Sequence, residues 1–164
     1  FKVWRGWVVG DGVAYFIDTD TMTLEERHPP DESRLLTVRG ISEDDVWAVG
    51  GSYAPVVIHW VNGAWQTVEL KAECLYQPLN GVWTDEGEDV WVAGHFGTMA
   101  RFDGTEWSCP SFPLTSEHFH AVWKHEDELL WLGGNLFGSS NNYGTIAKYS
   151  EAGSSENLTP STCE

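Results

Sequence analysis

Positive charge is scarce in this chain. Nine Lys and Arg stand against 25 Asp and Glu in 164 residues, a formal net charge of −16. Nucleic acid is held largely by Lys and Arg that displace counterions, and anionic bilayers attract polybasic segments, so neither is an expected partner. Long apolar runs are lacking too. None approaches the roughly 18 residues that a membrane helix needs, so membrane insertion is not expected. Cysteine is limited to Cys74, Cys109 and Cys163, with no Cys-x-x-Cys pair of metal type. In an oxidising compartment two of the three would pair, and the sequence leaves open which two; in a reducing one all three stay thiols. The chain has no Gly-x-Ser-x-Gly, no His-Glu-x-x-His, no phosphate-binding Gly-Lys loop and no acidic loop of EF-hand spacing. Its carboxylates cluster in turns, and none stands alone in the apolar setting that a general acid uses. An enzyme is therefore not expected.

What is abundant is tryptophan, ten residues, and glycine, seventeen. The stretch Leu79–Trp107, LNGVWTDEGEDVWVAGHFGTMARFDGTEW, holds three short strands and the start of a fourth, and it recurs along the chain. Asp45-Val46-Trp47-Ala48-Val49-Gly50 matches Asp89-Val90-Trp91-Val92-Ala93-Gly94, Leu130-Trp131-Leu132-Gly133-Gly134 matches again, and Gly6-Trp7-Val8-Val9-Gly10 is the first copy. The four tryptophans are 40, 44 and 40 residues apart. Leu35, Leu79 and Phe119 each stand 12 residues ahead of their tryptophan, and Val38, Val82 and Val122 nine ahead. Short Val-, Ile- and Trp-rich runs broken by Gly, Asp and Asn are strand and turn chemistry, and Asn62-Gly63 and Asp103-Gly104 are hairpin signals. Four strands in about 40 residues describe one blade of a β-propeller, which buries its faces by stacking on its neighbours. The expected fold is all-β, with four-stranded antiparallel blades at about 1–30, 35–73, 79–115 and 119–152, and 153–164 as a polar tail or irregular outer strand. The alternative is a β-sandwich with chance self-similarity. Four such units close as a small ring or form part of a larger propeller. Trp7 has no room ahead of it for a full upstream strand in the register of the others: either Phe1-Lys2-Val3-Trp4 is that strand with a shortened turn, or the start is trimmed or processed.

The order Val-Trp, turn, Asp-Val-Trp, apolar pair, Gly, then Asp-Gly or Asn-Gly before Trp, resembles the propeller repeats of exported bacterial proteins. It is similar to the photosystem-assembly-factor type and more loosely to the tectonin type, best from Leu35 to Glu151. The resemblance implies the propeller fold, an exported protein, and roles as varied as assembly factor and lectin. The Gly-His to Trp-Asp pairing of WD40 repeats and the complete Asp box of sialidase-like propellers are both missing.

The repeat register sorts the loops into two ends. One end collects Glu43, Asp44, Asp45, Asp85, Glu86, Glu88, Asp89, Glu126, Asp127 and Glu128, with Asp18, Asp20, Asp103 and Glu151. Crowded carboxylates favour a basic partner or a cation, calcium before others because its ligands are oxygens; the alternative is turns that keep the protein soluble. No other cofactor is expected. The opposite end collects Tyr53, His95, Phe96, Asn135 and Tyr143, with Tyr76 and His118 from the connections between units. Rings with hydrogen-bonding neighbours suit a sugar or a peptide; the alternative is scattered surface aromatics. His95, His118 and His120 are candidate zinc or copper ligands, set against plain packing of histidines on a strand. Arg39 stands where the other units carry Trp83 and Trp123, so it faces either an acid at the rim of a central channel or a ligand.

The expected function is a non-catalytic binding propeller, secreted, periplasmic or at the cell surface, that takes a glycan or peptide on its aromatic end. The alternatives are an assembly module docking on a protein of a larger complex or a homo-oligomer, and, behind these, a propeller hydrolase or lyase.

Overall fold

The computed structural model describes residues 5–85, 89–110, 115–125, 128–134, 144–150 and 155–157. Among these the protein is all-β, built of antiparallel sheets, with one single-turn 3-10 helix at His95–Gly97. No helix of the described residues is long and apolar enough to cross a membrane.

The strands fall into four sheets in chain order. The first holds β1 (Arg5–Val9), β2 (Ala14–Asp18) and β3 (Thr23–Glu26). The second holds β4 (Leu35–Gly40), β5 (Val46–Gly50), β6 (Val56–Val61) and β7 (Ala64–Thr67). The third holds β8 (Leu79–Thr84), β9 (Val90–Gly94), β10 (Met99–Phe102) and β11 (Trp107–Ser108). The fourth holds β12 (Phe119–His125), β13 (Glu128–Gly134), β14 (Gly144–Ser150) and β15 (Ser155–Asn157). Within each sheet, neighbours in sequence are neighbours in space. The hairpin signals act as their chemistry dictates: Asn62 and Gly63 take φ of 55° and 77° in the turn from β6 to β7, and Gly104 takes 93°.

The sheets pack face to face, and each junction is a core. Trp47, Val49 and Val57 of the second sheet meet Leu79, Val82 and Val92 of the third. Trp91, Ala93 and Met99 of the third meet Phe119, Val122 and Ala147 of the fourth. Ala14, with Trp7 and Val9, meets Leu35, Val46 and Ala48 between the first and second. The leading strands are also tied to one another. Thr37 Oγ1 donates to the Asn80 carbonyl, and Asn80 Nδ2 donates to the Phe119 carbonyl at 2.8 Å.

The same irregularity recurs in three sheets. Leu35 pairs with Gly50, Leu79 with Gly94 and Phe119 with Gly133, and a bulge follows each pair. This corrects one equivalence read from spacing. Arg39 then faces Trp47 and Trp83 faces Trp91, but Trp123 faces Leu130. Trp131 faces Val122 and so holds the place of Val92, not of Trp91. Lys124 and Leu129 pair across four intervening residues where Thr84 and Val90 pair across five. The one-residue shortening slips the register, which reassigns every residue of the strand.

At those paired glycines an added Cβ would overlap the carbonyl oxygens of Arg34, Pro78 and His118. The connecting backbone thus lies against the end of β5, β9 and β13 in these three sheets. The connection before β8 is also fastened covalently, since Cys74 is disulfide-bonded to Cys109, just past β11. This settles the pairing that the sequence leaves open; Cys163 lies outside the described residues, as do Asn135, Tyr143 and Asp127.

Two outcomes follow. Gly94→Ala should destabilise the protein by about 1–3 kcal/mol, the usual cost of overpacking, whereas Gly6→Ala, whose Cβ meets nothing within 4 Å, should leave stability near wild type; urea melts distinguish them. The disulfide closes a 35-residue separation, so Cys74→Ala with Cys109→Ala should lose roughly 2–4 kcal/mol in the same assay.

Candidate functional site

The turn from β9 to β10 carries His95, Phe96 and Gly97. Phe96 is held at φ 52° and ψ 42°, the left-handed region that a bulky side chain avoids. Four backbone hydrogen bonds hold it there. Gly94 N–H donates to the Thr98 carbonyl at 2.9 Å and Thr98 N–H to His95 at 3.0 Å within the turn. His95 N–H donates to Pro78 at 3.0 Å and Gly97 N–H to Glu117 at 2.7 Å, which fastens the turn to the connections ahead of β8 and β12. The strain, about 1–3 kcal/mol for such a residue, presents the Phe96 ring to solvent, 54% exposed.

Around that ring the expected residues come together in part. The His118 ring lies 4.7 Å from Phe96 and 4.4 Å, edge-on, from His95. The His120 ring lies parallel to His118 at 6.5 Å. A cavity of about 210 Å³ opens beside them, lined by Phe96, Tyr76, Met99, Cys74 and Pro110. Tyr53 stays apart, 95% exposed on the turn from β5 to β6. Met99, Cys74 and Pro110 were not expected here; Met99 and Pro110 carry no chemical signal, and Cys74 becomes a wall only through its disulfide.

The histidines do not form a metal centre. Among the described residues no three His, Cys, Asp or Glu side chains are grouped to hold an ion, and the imidazoles of His95 and His118 contact ring to ring instead. Both are held below the ordinary histidine value. Burial is the main cause in each; His118 and His120 add to it for His95, and His120 for His118, against the opposing Glu117 carboxylate.

Among the described residues the carboxylates of the acidic end are not grouped to hold an ion either, and Glu86, Glu88, Glu126 and Glu151 lie outside those residues. Asp89 accepts from Arg101 Nε at 2.7 Å and from Lys124 Nζ at 2.9 Å, and Lys124 also lies 3.9 Å from Asp85. Asp45 bonds His59 Nε2 at 2.8 Å. Glu43 and Asp18 both pair with Arg5, at 2.9 and 3.2 Å. Asp18 and Asp103 each cap a turn, accepting from the backbone N–H groups two and three residues on; the hydrogen bonds from Thr21 and from Glu106 are the leading causes that hold these two carboxyls below the usual range. Asp44 is exposed.

A repeated motif went unread in the sequence. His59 stacks on Trp47 at 4.0 Å beside Asp45, and Arg101 lies over Trp91 at 5.4 Å beside Asp89. Their spacings from the tryptophan differ, 12 and 10 residues, because the intervening turns differ in length. Arg39 reaches over to the third sheet. Its guanidinium lies 3.4 Å from the Trp83 ring centre and its Nε donates to the Thr84 carbonyl at 2.8 Å. Burial lowers its pKa, with Asp85 opposing through space.

The pH dependence has a definite sign. A histidine whose folded pKa is depressed binds its proton more weakly in the folded state, so its stabilising contribution is full above about 6.5 and is lost as pH falls through the folded value. Thermal melts should therefore show lower stability at pH 5.5 than at pH 7.5, and His118→Gln should shrink that difference.

No protein-family model matches the chain, and no curated protein does.

Proposed function

We propose that the four sheets are blades of a β-propeller, and that the chain is a non-catalytic binding module for a glycan or an extended peptide at its aromatic end. The propeller reading is supported by four consecutive antiparallel sheets in chain order, each packed on the next through its apolar face. The observation that carries the binding reading is Phe96. A half-exposed aromatic ring sits on a strained turn, against His118 and beside a cavity that Tyr76 also lines. Backbone strain of that kind gathers at ligand sites. Ring faces stack on the apolar faces of a sugar or on peptide side chains, and neutral imidazole supplies both a donor and an acceptor. An exported setting is supported by the Cys74–Cys109 bond, because disulfides persist in oxidising compartments.

A second reading, an assembly module docked on a protein partner, is favoured by the outward side of the first sheet. Val8 is 49% and Leu24 60% exposed there.

A glycan array and a peptide array, run with and without calcium, test the first reading. Phe96→Ala and Tyr76→Ala should each weaken the ligand found by about tenfold or more while leaving the melting temperature near wild type. Unchanged affinity in both variants removes this end as the site. Blank arrays in both conditions favour the second reading, and pull-downs with Leu24→Glu as the control then test it.

A further inference from the structure

The cavity beside Phe96 belongs to the third sheet, which has a sheet packed on either side of it. Its walls come from three places. Cys74 and Tyr76 lie on the connection ahead of β8, Phe96, Thr98 and Met99 on the turn into β10, and Pro110 beyond β11. The Cys74–Cys109 bond joins the first of these to the last. Met99 is 2% exposed and forms the floor, while Phe96 and Tyr76, 54% and 60% exposed, stand at the mouth.

The chemistry of this lining narrows what can enter. Among the described residues no carboxylate, amide or guanidinium lines the cavity, and the Thr98 hydroxyl is itself buried. A sugar presents several hydroxyls, and each gives up water on entering and needs a donor or acceptor in exchange. Two aromatic rings, a thioether, a disulfide sulfur and a proline suit an aromatic side chain instead, and Met adapts its shape to the ring that it meets. The volume of about 210 Å³ lies below the roughly 300–1,000 Å³ of pockets that enclose a whole small molecule, and gives room for one side chain. Around the cavity the charge is negative. Glu73, exposed, adjoins Cys74, and the Glu117 carboxylate acts on His118, whose ring packs on Phe96. Of the nearby cations, Lys71 is paired with Glu69 at 2.8 Å, and Arg34 acts on His95, which does not line the cavity. The whole chain carries −16, and a field of that sign draws in cationic segments.

We infer that the ligand of this end is a basic polypeptide segment that seats one aromatic side chain in the cavity, with Lys or Arg beside that anchor facing the acids around it. The inference rests on the binding reading proposed above and chooses the peptide over the glycan. An aromatic anchor in a small, water-excluding pocket is the usual form of an interface hot spot. The turn that carries Phe96 is already fastened to two connections, so little order remains to be lost on binding. The flanking cations speed encounter and the surrounding carboxylates select against acidic segments.

The chain holds two methionines, and they separate the cavity from the rest of the surface. Met99 is its floor, whereas Met22 is 84% exposed on the turn from β2 to β3. The test titrates the intact chain, methyl-labelled at methionine, with end-blocked Lys-Phe-Lys, Lys-Ala-Lys and Glu-Phe-Glu tripeptides and with cellobiose and chitobiose, read by NMR. Lys-Phe-Lys should shift the Met99 methyl saturably and leave Met22 in place, about tenfold or more tighter than either other peptide. Raising NaCl from about 50 to about 500 mM should weaken it severalfold. Equal binding of Lys-Ala-Lys would overturn the anchor, and equal binding of Glu-Phe-Glu the charge selection. A shift at Met22 alone would overturn the inference by reducing it to general attraction to an acidic surface. So would the absence of a Met99 shift with all three peptides. In that case a sugar that moves Met99 would keep the binding reading of this end, and blank arrays would remove that reading as well.

Discussion

The structure depends on a burial problem that no single sheet can solve. Every residue of β5 and of β9 is buried, on both faces of its sheet. Alternate side chains of a strand point to opposite faces, so each of these sheets needs a neighbour on either side. Burying one large apolar side chain contributes about 1.5–3 kcal/mol, and Trp47, Val49, Leu79, Trp91 and Phe119 all lie in junctions between sheets. Other features follow from that requirement. The chain enters the second, third and fourth sheets directly against the end of β5, β9 and β13, and glycine stands there at positions 50, 94 and 133 because a Cβ would overlap the incoming backbone. The leading strands come near enough for Thr37 and Asn80 to bond from strand to strand.

The two ends of the sheets solve opposite electrostatic problems. On a chain of net charge −16, carboxylates gathered at one end would repel one another without internal cations. Arg5, Arg101 and Lys124 supply that charge to Glu43, Asp18 and Asp89, and His59 hydrogen-bonds Asp45. The Lys124 side chain is only 12% exposed, so its pairing with Asp89 is screened less by solvent than that of Arg5 with Glu43, where both side chains are over 40% exposed. At the aromatic end the ionisable rings in contact, His95 and His118, are biased toward the neutral form. That patch carries little charge on a strongly acidic molecule, and the field of the whole chain repels anions. Neutral or cationic ligands fit both conditions.

The fold class was legible because its signals are local. Hairpin dipeptides, short Val- and Trp-rich runs and a period near 40 residues need no tertiary information. Spacing failed where length changes inside a unit. The shorter hairpin between β12 and β13 moves the equivalent of Trp91 from Trp131 to Leu130, and the conserved landmark in space is the glycine facing the leading residue. At the aromatic end, Phe96, His118 and Tyr76 were recoverable from loop order alone, whereas Tyr53 shares the end but not the cluster. At the acidic end the pairing was not legible, because the carboxylates sit together in sequence while their hydrogen-bonding partners arrive from other strands: His59 from β6, Arg101 from β10 and Lys124 from β12.

Phe96 separates a functional account from a purely structural one. A buried aromatic in an unfavourable conformation can be explained by the core that it fills. The Phe96 ring is more than half exposed, so little burial offsets its left-handed backbone. The turn does not need an aromatic there, since a Gly or Asn adopts the same conformation at lower cost. What the surroundings provide is rigidity: the turn is bonded to Pro78 and Glu117, on two different connections, and His118 packs on the ring. A fixed, solvent-facing ring beside a cavity loses little conformational freedom when a ligand arrives, which is the gain from preorganisation. Burial of the ring therefore does not account for the strain, and that is what supports the binding reading proposed for this end.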